Sequence, residues 1–245
     1  MPTKLNLEGY LSAAIKEGLY PNRGNLQFHL KTLFKNIALE NRRVLDIGGG
    51  RGLHSFYAAC MGAKEVVCLE PETEGSRSGT EAKFRKLGEM LGYDHVKFEP
   101  VTFQAFEHVG KQFDIILLHN SINHLDENAC INLLNDETSK SIYLNMCSKL
   151  SALASSGAKL IVCDCSRYNF FALLRIKNLF APTIEWHKHQ APKVWVDLLS
   201  QVGFVNPRVR WTSFNTLRSP GRVLLGNRLL SYFLRSDFRF TMEKP

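Results

Sequence analysis

Hydrophobic residues recur along this chain in two alternating rhythms. Short, nearly unbroken apolar runs occur at RRVLDIG (42–48), KEVVCLE (64–70), HVKFEPV (95–101), FDIILLHN (113–120) and AKLIVCDC (158–165), with longer amphipathic stretches between them. A run that stays apolar at successive positions has lost both faces to the interior, as parallel strands do when helices cover each side of a sheet. The intervening stretches supply those helices: LHSFYAACMG, which Gly62 can end; about 78–91, which Gly92 can end; and a long segment over 126–155. Ahead of the first strand, 8–20 and 25–39 read as two amphipathic helices joined by the turn-like YPNRGN. After the fifth strand the rhythm changes. Residues 168–190 are aromatic and basic, 192–202 look helical, PRVRW gives a sixth strand and DFRFTME a seventh. The pattern predicts an α/β fold, with a helical cap or lid over 1–40, one large domain over 41–245 and a substrate-side insertion at about 166–192.

The first strand ends in VLDIGGGRG, which places glycine at 48, 49, 50 and 52 directly behind Asp46. Glycine costs conformational entropy, so its concentration at one strand-to-helix turn implies that backbone must come close to something there. In an open parallel sheet ligands lie beyond the carboxyl ends of the strands, where glycine lets backbone N–H groups approach a polar group. The spacing is D-x-G-x-G-x-G and not the G-x-G-x-x-G of a dinucleotide site, whose last glycine would fall at Leu53. An acid beside a pyrophosphate is also electrostatically disfavoured. Asp46 suits a ligand carrying positive charge.

These residues resemble a known family. VLDIGGGRG, VVCLE ending in the acid Glu70, FDIILLHNSINHL after the third strand, and the late LLSQVGFVNPRVRW together look like the class I S-adenosylmethionine-dependent methyltransferases. The resemblance implies a Rossmann-like, seven-stranded, mostly parallel sheet with an antiparallel last strand and helices on both faces, and S-adenosyl-L-methionine as cofactor. It implies that Asp46, Gly48, Gly49, Gly50 and Gly52 cradle the cofactor's amino-acid part. Glu70 would accept both ribose hydroxyls, a carboxylate having two oxygens for two adjacent donors. Many relatives carry an acid after the third strand, whereas this chain has Val101-Thr102-Phe103-Gln104. Thr102 or Gln104 is the candidate there for hydrogen bonding and Phe103 for packing on the adenine, and Asn120 is a further cofactor candidate.

Transfer of an activated methyl to oxygen or nitrogen needs alignment of donor and acceptor, exclusion of water and removal of a proton, for which histidine suits neutral pH. HNSINHLDE (119–127) follows the fourth strand and offers His119 and His124 as catalytic candidates, although Asp126 beside them can simply cap a helix. TIEWHKHQAP (183–192) in the insertion offers His187 and His189. H-x-H without further placed ligands is poor evidence for metal, and no metal is expected.

Composition narrows the partners. The 245 residues carry a net charge of +8, and the segment from Pro207 onward holds eight Lys or Arg against Asp237 and Glu243, so six of the eight excess charges lie there. That excess fits an anionic partner, including peripheral contact with a membrane surface, and RVLLGNRLLSYFLR (222–235) has the apolar side and flanking arginines of an interfacial helix. Nucleic-acid methylation or RNA binding through the same region is the alternative, but the N-P-P-Y or D-P-P-Y type of motif is missing. The expected acceptor is a small molecule or a glycan-like or lipid-linked hydroxyl. Charged residues near the N-terminus argue against a signal peptide, and six cysteines without a C-x-x-C pair read as reduced core residues, both pointing to a cytoplasmic protein, membrane-associated if the basic segment docks.

Overall fold

The computed structural model describes residues 4–71, 79–110, 112–212 and 214–245. They form two compact units, Met1–Leu118 and His119–Pro245. In the first, β1 (Arg43–Ile47) is buried from Val44 onward and pairs in parallel with β2 (Glu65–Leu69) on one side and β4 (Phe113–His119) on the other. β3 (Val96–Glu99) pairs in parallel with β2, Val66 opposite Val96. The expected continuous apolar run fails at β3, where Val96 and Phe98 face inward and Lys97 outward. It is the edge strand, and one of its faces meets solvent.

Helices hold this sheet by burial. α1 (Lys4–Lys16) and α4 (Thr80–Leu91) pack beside α3 (Leu53–Cys60), which is buried from His54 to Cys60. Tyr10 of α1 donates its hydroxyl to the Leu53 carbonyl at 2.6 Å, and Phe84 of α4 packs at a tilt between Phe56 and Phe98. Gly92 ends α4 in the left-handed conformation, as its position predicts. α2 (Arg23–Leu33) starts inside the segment expected to be a turn, because the Asn22 side chain accepts from the Asn25 N–H and caps it. It stops well short of residue 39, and Asn36 just beyond it has φ +62°.

In the second unit the segment at 126–155 makes two helices, α5 (Glu127–Asn132) and α6 (Glu137–Leu153), since both Asp126 and Asp136 cap a new start. β5 (Ala154–Cys165) begins four residues before the expected 158. After it come α7 (Phe170–Leu173), α8 (Pro192–Gln201), β6 (Val205–Trp211), α9 (Arg218–Leu225), α10 (Arg228–Phe233) and β7 (Asp237–Glu243). The single amphipathic helix expected over 222–235 is therefore two, broken at Gly226 and restarted by Asn227, whose side chain accepts from the Leu230 N–H. β7 runs antiparallel to both β5 and β6, with a bulge on the β6 side. The strand order is β3-β2-β1-β4-β5-β7-β6, a seven-stranded, mostly parallel sheet. The six cysteines are free, and all but Cys163 are buried.

Candidate functional site

The glycine turn is built from the end of β1. Gly48 donates to the Leu69 carbonyl at 2.8 Å and carries the strand pairing one residue into the turn. Gly48, Gly50 and Gly52 all have positive φ, a region that residues with a Cβ rarely enter. At Gly49 space is the constraint, since a Cβ would lie 2.5 Å from Cys68 Sγ and 2.7 Å from Asp46 Oδ2. Gly50 differs: among the described residues nothing lies within 4 Å of where its Cβ would be, so the turn is open there with respect to them.

Two carboxylates flank that opening. Glu70, just beyond β2, is buried and accepts the Gly50 N–H at 3.0 Å through Oε2. Asp46 is 1% exposed, and Ser55 Oγ donates to its Oδ2 at 2.7 Å while Oδ1 has no partner among the described residues. Burial pushes the Asp46 carboxyl up to about 6; the Ser55 hydrogen bond opposes this and the Glu70 charge adds to it. A buried carboxylate with one unmet oxygen is a poor structural element and a good half-site for a cationic or donor group. Nearby, His29 and His54 place their Nε2 atoms 3.0 Å apart, a pair that sequence reading missed.

The other adenine-side candidates are placed differently. Thr102 is exposed and its hydroxyl accepts from the Ala105 N–H at 3.2 Å, whereas Phe103 is buried in the core of the first unit. Asn120 takes φ +54°, and its backbone N–H donates to the Cys163 carbonyl. His119, at the end of β4, is held neutral by burial, which pushes its imidazole down to about 4.

In the second unit the remaining histidines separate into three environments. His189 Nδ1 lies 2.8 Å from Asp164 Oδ1, and Asp164 is buried near the end of β5 with Oδ2 unpartnered among the described residues. Burial raises the Asp164 carboxyl, and the His189 contact partly counters this. His124 Nδ1 meets Glu127 Oε1 at 2.7 Å, and Glu127 in turn meets Lys188 at 3.0 Å, but all of this lies near the surface, where such pairs contribute about 0–1 kcal/mol. His187, only two residues from His189, instead lines a cavity of about 640 Å³ together with Arg167, Tyr168, Phe171, Trp186 and Tyr232. Asp164, Cys165 and His189 offer ligand atoms within 4.8 Å of one another, yet the direct carboxylate–imidazole contact already occupies Asp164 Oδ1. Asp164 was not picked out from sequence, although a lone acid inside the apolar run AKLIVCDC is the kind of signal that marks a buried charge with a partner.

No family model matches the chain. A ubiquinone biosynthesis O-methyltransferase of Ruegeria sp. (strain TM1040) is 30% identical over 165 residues, 67% of this chain. The chain spans 60% of that relative's length. Among solved structures, an S-adenosylmethionine-dependent methyltransferase from Mesorhizobium loti superimposes with a TM-score of 0.59 at 13% identity, covering 88% of this chain and 96% of that one. The chain has the fold of the class I S-adenosylmethionine-dependent methyltransferases. The magnesium protoporphyrin IX methyltransferase of Synechocystis PCC 6803, solved with bound SAM, shares this methyltransferase fold with a TM-score of 0.51 at 15% identity, over 90% of this chain and 78% of its own.

Proposed function

We propose that the chain is an S-adenosylmethionine-dependent O-methyltransferase acting on a hydroxyl of a small molecule. The observation that carries this reading is the turn at 48–52: open at Gly50, bounded by Glu70, and backed by Asp46 with one buried oxygen unmet. Those residues fit S-adenosylmethionine. Glu70 would hold the ribose hydroxyls, the glycine N–H groups the amino-acid carboxylate, and Asp46 would face the cationic end. When bound, the cofactor supplies a methyl group already activated by its sulfonium.

The chain's own task is then proton removal and alignment. His189 is the base we favour, because its Nδ1 is held by a buried carboxylate, which leaves Nε2 free to accept the hydroxyl proton of the acceptor. Asp164 is the positioning residue, fixing the tautomer and stabilising the imidazolium that forms. His124 has the same contact in an exposed setting and is the weaker base candidate. The cavity beside His187, largely apolar and aromatic with Arg167, Arg175 and Glu185 at its walls, fits an amphiphilic acceptor. The O-methyltransferase relative favours a small hydroxyl acceptor over a nucleic-acid base.

Titration calorimetry with S-adenosylmethionine tests the reading. The wild-type chain should bind, and Glu70→Ala should weaken binding by tenfold or more, about 1.4 kcal/mol, since the variant loses charge-assisted hydrogen bonds. Equal affinity in both proteins would remove Glu70 from the site, and no binding in either would remove the cofactor.

A further inference from the structure

Two segments of the second unit lie side by side. Asn169 Nδ2 donates to the carbonyls of Tyr232 and Leu234, Asn178 Nδ2 donates to Leu234, and the Phe170 and Phe233 rings are 5.2 Å apart. Phe180 meets Phe214 at 5.5 Å and so extends the seam toward α9. The insertion and the α9–α10 pair are thus one joined surface.

That surface exposes large apolar side chains to an unusual degree: Leu179 and Val223 are each 81% exposed, Leu173 73% and Leu229 66%. Isolated exposed leucines are ordinary, but a run of them on joined segments marks a contact surface. The charge around them is predominantly basic, and the acids that border it are paired, Asp237 with Arg235 at 3.3 Å and Glu185 with Lys188 at 2.8 Å. Between Ser166 and Ile184, and between Thr212 and Ser236, there are seven arginines or lysines and no Asp or Glu.

We propose that this face seats the protein on an anionic lipid bilayer, with the leucines and valine among the acyl-chain boundary and Arg175, Lys177, Arg218, Arg222 and Arg228 against the headgroups. Amphipathic segments with basic rims bind such surfaces by apolar burial combined with attraction to anionic lipid. A second copy is the poorer occupant, because a two-fold contact through this patch would bring two predominantly basic surfaces together. The seating is peripheral; among the described residues no helix is long and apolar enough to cross a membrane. Leu173, Arg175 and Ile176 belong both to this face and to the walls of the 640 Å³ cavity, so on the methyltransferase reading an amphiphilic acceptor could enter the cavity from the lipid phase.

Co-sedimentation with vesicles decides the matter. The full chain should bind vesicles containing phosphatidylglycerol, bind less as salt rises, and ignore vesicles of phosphatidylcholine alone. The triple variant Leu179→Glu, Val223→Glu, Leu229→Glu should lose at least about tenfold in partitioning. Arg218→Gln, Arg222→Gln, Arg228→Gln should lose about a hundredfold without adding charge to the apolar positions. Both variants should keep the wild-type thermal transition and calorimetric affinity for S-adenosylmethionine, which separates this test from that of the cofactor site. Failure of the wild-type chain to bind anionic vesicles overturns the proposal. So does a dimer in analytical ultracentrifugation that the Glu variant abolishes, or tighter binding to single-stranded RNA than to the vesicles.

Discussion

Asp46→Asn should gain stability relative to the wild type as pH rises from acid to neutral, while weakening the protein's hold on S-adenosylmethionine. In the folded chain burial keeps this carboxyl at about 6, against an ordinary value of 3.8. Well below 3.8 the group is protonated in both folded and unfolded chains and contributes nothing. Between the two values the unfolded chain ionises first, so the native state binds more protons and stability falls as pH rises. Above about 6 the whole cost stands, about 3 kcal/mol. Roughly 1 kcal/mol of that is already present at about pH 4.5, so about 2 kcal/mol develops between there and about pH 7.5. The amide cannot ionise and escapes this loss, while its oxygen still accepts from Ser55. Its NH₂ would meet no better partner than Oδ1 does now, but that penalty is the same at both pH values and cancels in the comparison. Urea unfolding should therefore show the variant's midpoint gaining on the wild type by roughly 1 M between the two pH values, for a slope near 2 kcal/mol/M. Calorimetry at the higher pH should show at least about tenfold weaker cofactor binding, the loss of one charge contact. A midpoint difference that stays constant with pH would refute the buried, ligand-facing carboxylate.

Two other outcomes bear on the acid–base assignment and on the turn. Once an acceptor is identified by incubating the protein with labelled donor and fractionated extract, His189→Ala should lower kcat by about a hundredfold or more and remove the acid limb of the pH–rate profile. Asp164→Asn should move that limb, and His187→Ala should change KM only; equal kcat in all three proteins sinks the base assignment. Gly52→Ala should destabilise the fold by about 2–4 kcal/mol, because its Cβ would sit 2.7 Å from the Phe84 ring and 2.8 Å from Phe56 at φ +83°. A urea midpoint within experimental scatter of the wild type would show that the turn can relax.

The first unit was the more legible part of the chain. Glycines at 48, 50 and 52 announce positive φ by their identity, and Asp46 and Glu70 close apolar strands where only a partner or ligand justifies an acid. Asp164 obeys the same logic but was passed over, because nothing local shows that His189, 25 residues later, returns to meet it. The two histidines of H-x-H look equivalent in sequence and turn out to face a carboxylate and a cavity. Helix breaks at Asp136 and at Gly226 were written in cap and breaker residues, yet amphipathic spacing ran through both and hid them. That β7 runs antiparallel came from family resemblance and not from periodicity, since alternation within a strand says nothing of its neighbours.

The position of β7 also dictates an order of events during synthesis. β5 and β6 are made first, but each must wait for residues 237–243 before it acquires the partner that separates them in the sheet. Long-range pairing of this kind closes slowly, and until it does the nascent chain exposes the edge of β5 together with all of β6. Arg208 and Arg210 on β6 then act as gatekeepers, discouraging intermolecular strand addition on the ribosome until the last strand emerges.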